Sequence, residues 1–315
     1  MVWPLLAATI SRITGAAHER QREVPRDEAG VDGQAIRPSD PVSRAMLPSA
    51  AVPRPAVAAL SLCFLISGLA SLVLEVVWLR ELRLVFGSTT LATSTVLVAY
   101  MLGLGLGALA GGRLGGARNG VRTYGQLEIA IGLCALLVPL LLAQFPVLNR
   151  ALLYRLAFWP AALCRFALAL AVLALPTLLM GATLPVLTRA VVGERARAGR
   201  LVGLLYGLNT IGAVGGVVLA TFVLFPGVGL AGANAIGAGI DVAVGVFTLA
   251  VVTRWPPASI ARSARRAAPP IPRRWHPLLP AYALVGFTAL VFEVGWTRAL
   301  AMILGSSVYA FACML

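Results

Sequence analysis

Three acidic residues, Glu75, Asp241 and Glu293, stand inside long apolar runs. A carboxyl within a membrane span needs a partner, a polar cavity or water, and it is a group that can bind a cation or relay a proton. Two of the three belong to a repeat. Residues 68–97, GLASLVLEVVWLRELRLVFGSTTLATSTVL, return in part 218 positions later as residues 286–315, GFTALVFEVGWTRALAMILGSSVYAFACML. At that offset Gly68 pairs with Gly286, Glu75 with Glu293, Trp78 with Trp296 and Arg80 with Arg298, while Gly87 and Ser88 pair with Gly305 and Ser306. A Glu-x-x-Trp-x-Arg with a Gly-Ser at fixed distance does not recur in register by chance, so we read an internal duplication.

Each of these residues has a structural reading beside the chemical one. Counted from residue 57, Glu75 lies about 27 Å along its helix, near the non-cytoplasmic boundary. There it would mark a helix end, with Trp78 in the aromatic belt and Arg80 reaching outward; Trp296 and Arg298 would do the same in the second copy. Alternatively, Glu75 and Glu293 face a polar cavity and take a cation or a proton. Glu75 and Trp78 share a helix face, but Arg80 is about 140° round from Glu75, so those two are no intrahelical ion pair. Asp241 sits at mid-depth with Asn234 seven residues earlier on the same face. Its alternatives are a hydrogen-bonded packing role or a titratable site. Asn209 joins Glu75, Asp241, Glu293 and Asn234 as a candidate substrate-binding or proton-relay residue, and Glu128, one turn into its helix, reads as interfacial.

The elements that position these groups follow from composition. The chain is 59% hydrophobic and 12% charged, with a mean hydropathy of +0.88. Those values describe an all-α, polytopic membrane bundle and exclude an ordinary soluble domain. Membrane-length apolar runs predict helices at about 57–79, 89–112, 124–145, 162–188, 201–225, 229–253 and 278–300. Residues 1–55 read as a disordered cytoplasmic tail, 56–253 as a six-helix half, 254–277 as a basic linker, and 278–315 as the start of a second half that is cut short. The second copy of the motif begins six helices after the first. The second therefore enters the membrane in the same direction as the first, a parallel repeat of major-facilitator type.

The net charge of +14 comes from 26 basic residues, every one of them arginine. All but Arg80, Arg83, Arg150, Arg155, Arg165 and Arg298 fall in the tail or in links on one side of the predicted helices. That asymmetry predicts a cytoplasmic N-terminus and argues against a nucleic-acid surface.

The remaining signals are mainly architectural. Gly107 with Gly111, Gly203 with Gly207 and Gly212 with Gly216 offer smooth faces for close helix approach. Pro176 and Pro185 predict kinks, with Thr177 and Thr183 as partners for the freed carbonyls. GVGLAG at 227–232 matches a nucleotide-loop pattern in form, but it falls at a turn between helices. The four cysteines lack CxxC spacing, and His18 and His276 lie far apart. No catalytic residue, metal site or cofactor is assigned to this chain.

LVLEVVWLRELRLVFGSTTLATSTVLVAYMLGLGLGALAGGRLGG, PTLLMGATLPVLTRAV and GRLVGLLYGLNTIGAVGG, in that order, resemble the membrane domain of bacterial fused spermidine synthase-like proteins. The resemblance covers about residues 60–315. It implies a bacterial inner-membrane protein whose major-facilitator-like helices precede a synthase-like, aminopropyltransferase domain that uses decarboxylated S-adenosylmethionine. Polyamines are the cations such a protein would meet. The aminopropyl chemistry lies in a C-terminal domain that is absent here, so no enzymatic step is assigned. Leu74 departs from the family pattern, which has an aromatic residue that Phe292 supplies in the second copy. Asp241 departs from it too, standing where Asn is more usual. The alternatives are a small-solute transporter of major-facilitator type and an anchor without substrate.

Overall fold

In lipid a backbone must satisfy its own hydrogen bonds, and apolar stretches of twenty or more residues do so as helices. The computed structural model describes residues 54–86, 89–114, 120–153, 155–191, 195–251, 254, 278–305 and 313. Seven long helices carry the fold: α1 (Arg54–Phe86), α2 (Thr89–Leu114), α3 (Gly120–Leu142), α4 (Phe158–Val191), α5 (Arg195–Leu219), α6 (Phe225–Ala250) and α7 (Leu278–Leu304). No strand occurs among the described residues. The chain is an all-α bundle with the length and apolarity of a multi-pass membrane protein. The expectations for the tail, for most of the 254–277 linker and for residues 306–312 lie outside the described residues.

Six continuous helical stretches are long and apolar enough to cross a membrane, and one of them runs from Gly199 to Ala250. Its 52 residues would measure about 78 Å as a straight helix, more than twice a bilayer core. The stretch is interrupted instead. A π-helical turn at Ala220–Leu224 is followed by Gly229 at φ 70° and ψ −173°, a backbone shape that glycine adopts without penalty. GVGLAG therefore carries the break, at Gly229 near the start of α6, that divides the stretch into two spans, seven in all. A short helix, Phe145–Leu148, and a π turn, Asn149–Leu153, join α3 to α4. Arg165 holds that connection by donating from Nε and Nη2 to Asn149 Oδ1 at 3.2 and 2.7 Å.

Packing is between helices distant in sequence. α2 lies along α4, α1 along α5 and α3 along α6, with further contact between α3 and α4 and between α1 and α6. Exchanging α1, α2 and α3 for α4, α5 and α6 maps this pairing onto itself. The six helices are thus two triplets of opposite direction.

Each main pair closes over glycine. A Cβ added at Gly107 or Gly111 would collide with the Leu178 or Ala182 backbone of α4, and one at Gly212 or Gly216 with the Leu65 or Leu69 carbonyl of α1. At Gly245 it would lie 2.5 Å from the Gly125 carbonyl of α3. Small residues let helices approach this closely in lipid, where association rests on dispersion contacts. Gly203 and Gly207 correct the expectation made for them: among the described residues, nothing lies within 4 Å of a Cβ at either position. Their spacing is right, but their face of α5 meets no helix among the described residues. α4 continues through Pro176 and Pro185 as one helix. Thr177 and Thr183 are not the partners of the proline-freed carbonyls, because their hydroxyls donate to Leu173 O and Met180 O, each at 2.7 Å.

Candidate functional site

α1 is at the centre of the bundle, and four-residue spacing gives it an inward polar stripe of Cys63, Ser67, Ser71 and Glu75, extended by Trp78. α6 faces it with Asn234, Asp241 and Thr248 at seven-residue spacing, and α3 adds Tyr124 and Glu128 at i, i+4. Except for the half-buried Ser71, all of these side chains are buried. They form two neighbouring groups.

The first group surrounds Glu75. Trp78 is 0% exposed and donates its indole N–H to Asn234 Oδ1 at 3.2 Å, and Asn234 Nδ2 donates to the Ala135 carbonyl at 2.9 Å. One asparagine thus links α1, α3 and α6. Tyr100 on α2 donates to Ser71 O at 3.1 Å and packs its ring 6.0 Å from Trp78. Glu75 is buried, and its charge interacts with that of Glu293 on α7. The two copies of the motif therefore place one carboxyl within electrostatic reach of the other. Their tryptophans differ, since Trp296 is 59% exposed. Arg298 is exposed, as is Arg80, whose guanidinium stands 5.3 Å over the Phe225 ring.

These positions correct the helix-end placement of Glu75 and Trp78. α1 continues to Phe86, so Glu75 lies about 8 Å from the helix midpoint and Trp78 is core, not aromatic belt.

The second group is centred on Glu128 and Asp241, both 0% exposed. Ser67 donates to Glu128 Oε1 at 2.9 Å. Glu128 Oε2, both Asp241 oxygens and the Tyr124 hydroxyl have no hydrogen-bond partner among the described residues. Tyr124 faces the Glu128 carboxylate without good hydrogen-bond geometry, and the Glu128 and Asp241 charges interact. Tyr100 lies between the groups and interacts with both Glu75 and Asp241. The hydrogen-bonded packing considered for Asp241 is not what the fold supplies. The interfacial reading of Glu128 is corrected as well. α3 begins at Gly120, and Glu128 is about 12 Å inside it.

Asn209 belongs to neither group. Its Nδ2 donates to Phe64 O at 3.0 Å, and Gly68 packs against its backbone, so it fixes the α1–α5 crossing. An open groove of about 530 Å³ between α1 and α5 is lined by aliphatic side chains and Ser61, with no titratable group. Among the described residues no cluster of three or more His, Cys, Asp or Glu side chains is placed to hold a metal ion. Sequence reasoning passed over Ser67, Tyr100 and Tyr124. The four-residue spacing of Ser67, Ser71 and Glu75 was the signal available for the first.

No family model, curated protein or solved structure matches the chain.

Proposed function

We propose that this chain is the membrane domain of a spermidine synthase-like protein and that Glu75 and Glu293 bind a polyamine-class cation. The observation that carries this reading is that the two repeat-related carboxyls, one buried and one half-buried within apolar spans, lie within electrostatic reach of each other. A polyamine answers that arrangement: its ammonium groups neutralise separate carboxylates and its methylene stem lies along apolar walls. Trp296, exposed at i+3 from Glu293, offers a π face to a second ammonium. Aminopropyl transfer, with decarboxylated S-adenosylmethionine, belongs to a synthase-like domain outside this chain, and the bilayer it inhabits is a bacterial inner membrane. The arginine distribution supports a cytoplasmic N-terminus.

The test is spermidine binding to the purified protein in lipid nanodiscs, followed by calorimetry. Glu75→Gln and Glu293→Gln are each expected to weaken binding about tenfold or more, since each removes one charge partner. Binding unchanged in both variants, or no binding by the wild type, overturns the reading.

The second reading is a transporter of a small solute. It is favoured by the pairing that maps onto itself when the two helix triplets are exchanged, an architecture on which alternating access is built. Spermidine uptake into proteoliposomes separates carriage from mere binding.

A further inference from the structure

Glu128 and Asp241 are not needed to explain polyamine binding, yet they are the most deeply buried charged groups described. Each lies within about 5 Å of the midpoint of its membrane-length helix. The α3 and α6 backbones touch on either side of the pair, Gly125 against Gly245 and Gly132 against Ala238, so the two carboxyls share one level of the seam, and burying both there is costly unless a cation resolves the charge. The groups that act on the pair are Cys63 on α1, Tyr100 on α2 and Tyr124 on α3, none of them cationic. The Tyr124 hydroxyl, itself 0% exposed and without a hydrogen-bond partner among the described residues, is turned toward the pair.

We propose that Glu128 and Asp241 form a second, separate cation site in the α1–α3–α6 seam, and that its ligand is a proton held between the two carboxyls. The oxygens favour a proton over a metal ion. Hard metal cations such as calcium take about six or more oxygens, whereas the unpartnered ones here are Glu128 Oε2, the two of Asp241 and Tyr124 Oη. A proton needs only a donor oxygen and an acceptor. Glu128 Oε1 already accepts from Ser67, leaving Oε2 to carry the proton toward Asp241. Tyr124 adds a hydroxyl that donates to whichever carboxyl holds the charge.

The test uses the full chain in liposomes and dicyclohexylcarbodiimide, an apolar reagent that consumes protonated carboxyls, with adducts mapped by mass spectrometry. The expected result is labelling at Glu128 or Asp241 that falls about tenfold per pH unit above its midpoint and is indifferent to exchanging choline for sodium. Labelling at neither residue overturns the site, and protection by sodium overturns the proton as its ligand. Asp241→Asn tests the sharing: the pH midpoint of Glu128 labelling is expected to shift, and an unchanged midpoint overturns a shared proton. The wild-type measurement decides for or against the site even if that variant does not fold.

Discussion

Glu75 and Glu293 occupy equivalent places in a repeated motif and act on one another electrostatically across α1 and α7. Within that reach, two charged carboxylates without a cation between them repel. Glu293→Gln is therefore expected to raise the stability of cation-free protein by about 1 kcal/mol, a value reduced by the partial exposure of Glu293. With spermidine present at about 100 times its dissociation constant, the wild type should gain about 2.7 kcal/mol and overtake the variant. Thermal unfolding in nanodiscs, with and without spermidine, reads both signs.

The two tryptophans of the motif should respond differently to the same substitution. Trp78→Phe removes the donor to Asn234 Oδ1 and leaves a buried acceptor unpaired, a loss of about 1–3 kcal/mol. Trp296→Phe occurs on an exposed face and should change stability by less than about 0.5 kcal/mol. Equal effects would mean that the Trp78–Asn234 bond contributes nothing.

The glycines of α5 give an internal control. Gly212→Ala or Gly216→Ala places a methyl against the α1 backbone and should destabilise by about 1–3 kcal/mol. Gly203→Ala and Gly207→Ala meet open space and should be neutral, or more stable by up to about 1 kcal/mol through helix propensity. Resistance to unfolding in denaturing detergent ranks the four variants.

Ser67→Ala deletes the hydroxyl that donates to Glu128 Oε1. The carboxylate then lacks its one well-formed hydrogen bond, and a loss of about 1–3 kcal/mol is expected. Guanidinium- or detergent-induced unfolding measures it. Ser94→Ala, half-buried elsewhere on α2, should lie within about 0.5 kcal/mol of wild type.

The proposed orientation predicts where a reporter is active. Alkaline phosphatase fused after Arg150 should be active, because that link faces away from the arginine-rich side, and fusion after Arg197 should be inactive. The reverse pattern would invert the topology.

Hydropathy made the seven spans legible because it measures the length that lipid must cover, and GVGLAG marked the break at Gly229 near the start of α6. It does not measure where a helix ends. α3 starts four residues before the expected position, and α1 continues seven residues past it; those extensions moved Glu128 and Glu75 from the expected boundary into the interior. In a chain this apolar, lipid-facing and protein-facing surfaces share one composition. Gly203 and Gly212 begin identical small-residue spacings, yet only Gly212 meets a partner. Which face is covered depends on helix pairing, and that pairing joins helices distant in sequence.

That pairing has a kinetic consequence. α1 ends at Phe86, but its main partner α5 begins only at Arg195, and α3 waits similarly for α6. At about 5–20 residues per second, synthesis leaves α1 without α5 for about 5–20 s. During that interval the α1 stripe has neither Asn234 nor Asp241 opposite it, because both arrive later still on α6. Completion of the polar seam is thus a late step in biogenesis. A nascent chain released before α6 would expose Glu75 and Ser67 to lipid, where quality control can recognise them.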